Sequence, residues 1–274
     1  MEMMMNTMHT WTLSILLLTA VAMTCCITTA APTPTASAYA SPTAIVSDGT
    51  NLYIACATSP KVLMLNAKTK KFVGTIKTAL PSTGIALANG TLYTTQGIAP
   101  GKVVSICAKS HKATDLKTAI DLHAPCAPLV AGKSVYLADR YRNLIVNATN
   151  GKTISVSREP IAMAATPDGK TLIVANLLPA DKADGHYASS LVSFIDTTTD
   201  KLIVELPLAN GATGLRGIAI DPAGKFAYIT HILARYQLPT TQIERGWINT
   251  NALSILDIAT RKVVNTVLLD DVDL

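Results

Sequence analysis

Beyond residue 40 the chain alternates apolar and polar side chains in short runs separated by turn-forming residues. Leu191-Val-Ser-Phe-Ile195 and Leu253-Ser-Ile-Leu256 show the period of two expected of half-buried strands. Each run leads into a polar turn that ends on a lysine: Asn66-Ala-Lys-Thr-Lys-Lys71, Cys107-Ala-Lys-Ser-His-Lys112, Asn147-Ala-Thr-Asn-Gly-Lys152, Asp196-Thr-Thr-Thr-Asp-Lys201 and Asp257-Ile-Ala-Thr-Arg-Lys262. A further strand follows each turn, as in Phe72-Val-Gly-Thr-Ile76 and Val263-Val-Asn-Thr-Val267.

A second hairpin precedes each of these. Its turns are Ser47-Asp-Gly-Thr50, Ala88-Asn-Gly-Thr91, Ala131-Gly-Lys-Ser134, Pro167-Asp-Gly-Lys170 and Pro222-Ala-Gly-Lys225, where the glycine supplies a positive φ. Short strands flank it, such as Gly217-Ile-Ala-Ile220 and Phe226-Ala-Tyr-Ile229. The repeating unit is therefore four antiparallel strands, A to D. One such sheet cannot bury both of its faces, so the units must pack on one another around an axis. The expected fold is all-β: a β-propeller of four-stranded antiparallel blades, with five recognisable at about 41–80, 81–121, 122–160, 161–211 and 212–270.

Two stretches of blade 5, Ile218-Ala-Ile-Asp-Pro-Ala-Gly-Lys-Phe-Ala-Tyr-Ile-Thr230 and Ala252-Leu-Ser-Ile-Leu-Asp-Ile-Ala-Thr-Arg-Lys-Val-Val264, closely resemble the YVTN-type propeller repeat. So do Ala165-Thr-Pro-Asp-Gly-Lys-Thr-Leu-Ile-Val-Ala-Asn176 and Ser193-Phe-Ile-Asp-Thr-Thr-Thr-Asp-Lys201 in blade 4. The match is strong in the last two units and degraded in the first three. The resemblance implies an extracytoplasmic or surface protein, usually of seven blades and grouped loosely with lactonase and haem d1 propellers, but no single reaction. Five units depart from that count, and Leu269 to Leu274 reads as the start of a crossing to a sixth. Either the ring closes with five blades or the chain is the front part of a longer protein, and the second is the expectation; an open arc would expose an unpaired edge and an apolar blade face unless a partner covers them.

Strand phase separates two faces. A–B and C–D hairpins fall at one end, and B–C loops and D-to-A crossings at the other. Successive lysines lie 41, 40, 49 and 61 residues apart, and the extra length falls in two B–C loops, 177–189 and 232–251. Loops this long in a compact repeat are functional or disordered. Of seven arginines, six map to this loop face: Arg140, Arg142, Arg158, Arg216, Arg235 and Arg245. Arginine's planar fork suits carboxylates and phosphates, so the face reads as a rim for a small anionic ligand or a protein partner. The competing reading has these arginines tie down their own loops through carbonyls and Asp181, Asp184 or Glu244. Trp247 and Tyr236, beside Glu244 and Arg245, have the composition of a binding hot spot. His123, His186 and His231 share the face as weak metal candidates, but no H-x-H or H-x₃-H spacing unites them, so no metal and no cofactor is assigned.

Composition changes the picture in three places. Trp11 to Ile27 is an uncharged apolar run followed by small residues at Ala30-Ala31 and Ala38-Tyr39-Ala40. Residues 1–40 therefore read as a secretory signal peptide and a Pro/Thr/Ala-rich linker, and the location as periplasmic, cell-surface or secreted. Membrane contact would come only from an uncleaved signal or a lipid on Cys25 or Cys26. Cys56, Cys107 and Cys126 are too few for a disulfide framework and read as small buried hydrophobes. A net charge of +5 without a dense basic cluster sets nucleic acid aside.

No G-x-S-x-G elbow, P-loop, dinucleotide fingerprint or C-x-x-C-H occurs. Ser254 and Thr230 read as cross-strand packing. The leading expectation is an exported, non-catalytic propeller whose binding candidates are Arg140, Arg142, Arg216, His231, Arg235, Tyr236, Glu244, Arg245 and Trp247. The alternative is the scaffold of an extracytoplasmic lactonase-like or haem-associated redox enzyme. Oligomeric state is left open.

Overall fold

The computed structural model describes residues 40–182, 184–234 and 249–270. The signal and linker reading and most of the blade 5 loop lie outside the described residues.

Five four-stranded antiparallel sheets follow one another along the chain. Blade 1 comprises β1 (Pro42–Ser47), β2 (Asn51–Cys56), β3 (Lys61–Asn66) and β4 (Phe72–Lys77). Blade 2 comprises β5 (Ser82–Ala88), β6 (Thr91–Gln96), β7 (Lys102–Cys107) and β8 (Ala113–Leu116). Blade 3 is built from β9 (Pro125–Ala131), β10 (Ser134–Asp139), β11 (Leu144–Asn147) and β12 (Thr153–Ser155). Blade 4 is built from β13 (Pro160–Ala165), β14 (Thr171–Asn176), β15 (Leu191–Asp196) and β16 (Lys201–Pro207). Blade 5 has the longest strands: β17 (Ala212–Ile220), β18 (Phe226–Ala234), β19 (Asn249–Asp257) and β20 (Lys262–Leu268). Among the described residues a single 3₁₀ turn, Arg140–Arg142, interrupts the β structure.

The turns hold because their residues accept the required backbone. Asn89 and Gly90 both take positive φ (48° and 71°), the combination a two-residue hairpin needs to match strand twist. In each C–D turn the residue before the recurring lysine is left-handed: Lys70, His111, Gly151, Asp200 and Arg261. In four blades the turn's first side chain compensates by accepting backbone N–H groups. Asn66 Oδ1 takes Thr69 N at 2.8 Å, Asn147 Oδ1 takes Thr149 N at 3.0 Å, Asp196 Oδ1 takes Thr198 N at 2.7 Å and Asp257 Oδ1 takes Thr260 N at 2.7 Å. Cys107 fills that position in blade 2. It is exposed rather than buried as expected, and hydrogen bonds from Ser110 draw its thiol below the ordinary range.

Consecutive A strands pack on one another, β1 on β5, β5 on β9, β9 on β13 and β13 on β17, so they form the inner wall. A register irregularity bends the A–B pair in every blade, between Ser82 and Gly84 in blade 2 for instance. A Cβ on Gly84 would lie 2.6 Å from Pro128 Cδ, which shows how closely the inner strands approach. Among the described residues no contact of similar extent joins β17 to β1, and the ring is not closed.

One apolar cluster fills each gap. Tyr53, Val62 and Met64 of blade 1 meet Leu92, Val104 and Ile106 of blade 2. Val103 packs with Leu137 and Val146 between blades 2 and 3. Tyr136, Ala138 and Ile145 meet Leu172, Val174 and Ile195 between blades 3 and 4. Ile173, Val192 and Phe194 meet Ala227, Ile229 and Leu256 between blades 4 and 5. Burying one such large side chain contributes about 1.5–3 kcal/mol, so the gaps dominate the stability.

A polar clasp reinforces the gap between blades 3 and 4 on the hairpin side. The Asp200 carboxylate, 4% exposed, accepts from Tyr136 Oη at 2.6 Å, Asn147 Nδ2 at 3.0 Å and Asn150 Nδ2 at 2.7 Å, with Lys152 Nζ at 3.5 Å. Burial alone would raise its pKa. The bonds from Tyr136, Asn147 and Asn150 and the Lys152 charge outweigh that and hold the carboxyl below its ordinary value.

Asp200→Asn keeps the shape and removes the charge, and hydrogen bonds to a charged group are worth about 1.5–3 kcal/mol. Denaturant titration at pH 7 should show a loss on the order of 2 kcal/mol. Because the folded pKa is depressed, the stabilisation is complete above the ordinary value of 3.8 and disappears as pH falls through the lower folded value. The native protein should therefore weaken on acidification below about pH 4 more steeply than the variant. Equal acid sensitivity would show that the clasp does not act in this way.

Candidate functional site

The B–C loops and D-to-A crossings share one end of the blades; four B strands stop there on a belt of buried side chains, and in blade 5 the equivalent residue is His231, from which β18 runs on to Ala234. Cys56, Gln96, Asp139 and Asn176 are fully buried and His231 is 4% exposed. They close equivalent tetrapeptides: Tyr53-Ile-Ala-Cys56, Tyr93-Thr-Thr-Gln96, Tyr136-Leu-Ala-Asp139, Ile173-Val-Ala-Asn176 and Tyr228-Ile-Thr-His231. Buried polar groups seek partners: Gln96 and Asp139 bind the preceding crossings, Asn176 and His231 bind within their own blades, and Asn176 Oδ1 alone is left without a partner in the belt. Gln96 Oε1 accepts from Leu80 N at 3.3 Å, and the Asp139 carboxylate accepts from His123 N at 3.1 Å and Ala124 N at 2.8 Å. Asn176 Nδ2 donates to Leu191 O at 2.8 Å and Ser193 Oγ at 2.9 Å. The repeated fourth residue was the signal for this belt, which a search for catalytic spacings passes over.

His231 therefore lies inside the blade rather than on the loop surface. Its Nδ1 is 3.1 Å from the Ile232 carbonyl oxygen, which only accepts, so Nδ1 carries the hydrogen. Nε2 is then the acceptor for Ser254 Oγ at 2.8 Å, and Ser254 Oγ lies 3.0 Å from Thr266 Oγ1. Blade 4 runs the same line with other chemistry: Asn176 donates to Ser193, whose Oγ donates to Glu205 Oε1 at 2.7 Å. Ser254 is fully buried. It is a hydrogen-bonded link rather than simple packing, and as a nucleophile it has no access to solvent. Thr230 Oγ1 likewise accepts from Gly217 N at 3.1 Å.

Around this belt the arginines divide. Arg140 donates through Nε at 2.8 Å and pairs through Nη2 at 2.6 Å with Glu159 Oε2, while its guanidinium stands 5.4 Å from the Tyr141 ring centre. Glu159 is itself a node: its N–H donates to Asn143 Oδ1 at 2.9 Å and its carbonyl accepts from Leu177 N at 2.9 Å. Arg158 Nη1 donates to Pro179 O at 3.1 Å. Arg140 and Arg158 thus fasten loops. Arg142 is exposed and carries no ion pair among the described residues.

Arg216, expected in a crossing, stands within β17. The strand starts early because β17 and β18 continue pairing through Ala212–Leu233 and Thr213–Ile232. There it borders a cavity of about 360 Å³ on blade 5 together with Gly214, Thr230, His231, Ile232, Asn251 and Leu269, so two candidates named from the sequence, Arg216 and His231, line one cavity. The same extension brings Ile232 to Ala234 and Asn249 to Asn251, expected as loop, into strands. Arg235, Tyr236, Glu244, Arg245 and Trp247 lie outside the described residues.

The other long loop is stitched down. Tyr187 Oη donates to Leu208 O, Ala188 N donates to Asn210 Oδ1 at 2.9 Å, Gly211 N to Ala188 O at 2.8 Å, and Gly214 N to Leu177 O at 2.8 Å. On this pinned backbone, three consecutive B–C loops each raise one large apolar side chain. Ile98 is 63% exposed, Tyr141 55% and Tyr187 47%. None of the three was singled out from sequence, because an isolated exposed hydrophobe has no motif. His123 and His186 are exposed, in different blades from buried His231, and no group of three metal-ligating side chains forms among the described residues.

His231→Asn gives blade 5 the blade 4 side chain. Burial lowers the His231 pKa below the ordinary 6.5 despite its bond to Ile232. The unfolded chain then takes the proton first, so stability is full above 6.5 and falls as pH drops through the lower folded value. Between about pH 7 and pH 5 the Tm of the native protein should decline, and that slope should flatten in the variant. Identical slopes would show that His231 is not the titrating group.

Comparison with known proteins follows the fold. No protein-family model matches the chain. Over 114 residues it is 29% identical to hydrazine synthase subunit beta of Kuenenia stuttgartiensis, a match spanning 42% of this chain and 28% of that relative. The Kuenenia stuttgartiensis hydrazine synthase structure superposes with TM-score 0.72 at 21% identity, over 88% of this chain and 70% of that one. The dihydro-heme d1 dehydrogenase NirN, in complex with DHE, superposes with TM-score 0.56 at 14% identity, over 84% of this chain and 47% of its own. At these identities the likenesses establish the β-propeller fold.

Proposed function

We propose that the chain is an exported, non-catalytic propeller whose loop face docks a protein partner. The observation that carries this reading is the set Ile98, Tyr141 and Tyr187, exposed on three neighbouring blades, with the loops of Tyr141 and Tyr187 held by Glu159 and the 177–190 stitches. Exposed tyrosines beside an uncommitted arginine, Arg142, have the make-up of binding hot spots, and a rigid support lowers the entropic cost of docking. The sequence match to a protein named as a subunit supports a partner that is itself a protein. The apolar run before the linker supports export.

A second reading, a scaffold within a haem-associated redox enzyme, draws on the hydrazine synthase match and on the NirN superposition. Titrating the purified chain with a haem and following the Soret band tests it, with no spectral change excluding it.

For the docking reading, the tagged chain is cross-linked in producing cells, its partner identified, and the complex titrated directly. Tyr141→Ala combined with Arg142→Ala should weaken it at least tenfold, as loss of a hot spot of about 2 kcal/mol does. Undiminished affinity with the fold intact would place the interface elsewhere.

A further inference from the structure

The two ends of the blades differ in charge. Eleven lysines and Arg261 stand in or beside the hairpin turns against six aspartates, so the net charge of +5 is carried at this end and the rest of the chain is nearly neutral. The excess is greatest on blades 1 and 2. Blades 4 and 5 begin the C–D turn with Asp196 and Asp257, whereas these two begin it with Asn66 and Cys107. Asn66 accepts the turn's N–H groups as an aspartate does, but brings no charge. Lys68, Lys70, Lys71, Lys109 and Lys112 are all exposed, and Asp48 is the one acid in the hairpin turns of these blades. Lys70 donates to the Ala67 carbonyl at 2.5 Å, and none of the five forms an ion pair among the described residues. The two turns lie 41 residues apart along the chain, and the packing of blade 1 on blade 2 brings them to one end.

An apolar feature recurs beside the lysines. In β4, β16 and β20 the register slips just past the turn, leaving Val73, Ile203 and Val264 without a partner on the C strand. Such a bulge sets its extra residue outside the ladder. The three side chains are 55%, 37% and 57% exposed, and each follows the recurring lysine by two residues. Ile203 is exposed although a blade packs on either side of its own, so the exposure comes from the bulge and not from an uncovered face.

The charges are lysines spread over several turns, point charges on flexible stems rather than planar forks aimed at one phosphate. Such charges beside apolar side chains fit a broad anionic surface with an apolar layer beneath it. We propose that the hairpin end docks on an anionic lipid bilayer, with the lysines of blades 1 and 2 among the headgroups and Val73, Ile203 and Val264 at the acyl boundary. This contact needs neither the apolar run at residues 11–27 nor a lipid on Cys25 or Cys26, and it leaves the loop face turned away from the bilayer.

The test mixes the full chain with vesicles of phosphatidylcholine, alone or with phosphatidylglycerol, and separates bound protein by sedimentation. Phosphatidylglycerol should raise binding at least tenfold at low salt, and high salt should abolish the increase. Residues 11–27 carry no charge, so whatever they bind is common to both vesicles. Lys70→Gln with Lys112→Gln should cancel most of the increase, each lysine near a surface being worth about fivefold. Lys182→Gln with Arg142→Gln, the same loss of charge at the loop end, should preserve it. Val73→Ser with Val264→Ser should weaken binding to the mixed vesicles but not to dextran sulfate. Vesicle binding indifferent to the serine pair would overturn the proposal in favour of a soluble polyanion such as a nucleic acid. Amine footprinting of the native chain should show Lys68, Lys70, Lys109 and Lys112 protected by the mixed vesicles while Lys182 stays reactive. No increase with phosphatidylglycerol, or equal protection at both ends, would overturn it as well.

Discussion

A four-stranded sheet that is apolar on both sides is soluble only when something lies against each side, and this requirement organises the whole chain. The turns make the sheets, but the sheets stand because Leu172 meets Ile145 in one gap and Phe194 meets Ile229 in the next. Aliphatic side chains carry most of this packing, consistent with a chain in which aromatic residues make up 5% of the whole. Between blades 2 and 3 the inner strands approach closely where Gly84 carries no side chain.

Polar groups divide their work according to the end of the blade they occupy. At the hairpin end, Asp200 draws three donors and a lysine into one clasp across a gap. At the loop end, Gln96 and Asp139 fasten their strands to the preceding crossings, and Glu159 joins the Arg140–Asn143 loop to Leu177. Because these groups spend their hydrogen bonds internally, the loop surface is free to present Ile98, Tyr141, Tyr187 and Arg142 outward. A rigid frame that holds a few large side chains outward is the arrangement binding surfaces use.

Much of this architecture was legible in the sequence. Asn89-Gly90 and the lysine-ending turns state their backbone requirements locally, and alternation between them marks the strands. What depended on three-dimensional register was not legible. Arg216 looked like a crossing residue because nothing local shows that β17 and β18 continue pairing past the bulge. His231 looked like a ligand on a face, yet the alternation of its strand turns it inward to Ser254. Cys107 looked like a core thiol, although its place in the turn series belongs to Asn and Asp. Glu159 could not be identified at all, since its partners come from two other segments, the Arg140–Asn143 loop and Leu177.

The separate core in each gap bears on how such a chain grows. No cluster draws on more than two adjacent blades for its central contacts, so the fold has no single centre that every residue must satisfy. Stability then accumulates nearly as a sum over neighbours. Duplicating one forty-residue unit of DNA would add one sheet and one interface while leaving the existing interfaces intact. Blades 4 and 5, with their long inserted loops, could diverge in the same way without disturbing blades 1 and 2. An architecture of this kind evolves by counting, adding or losing whole units.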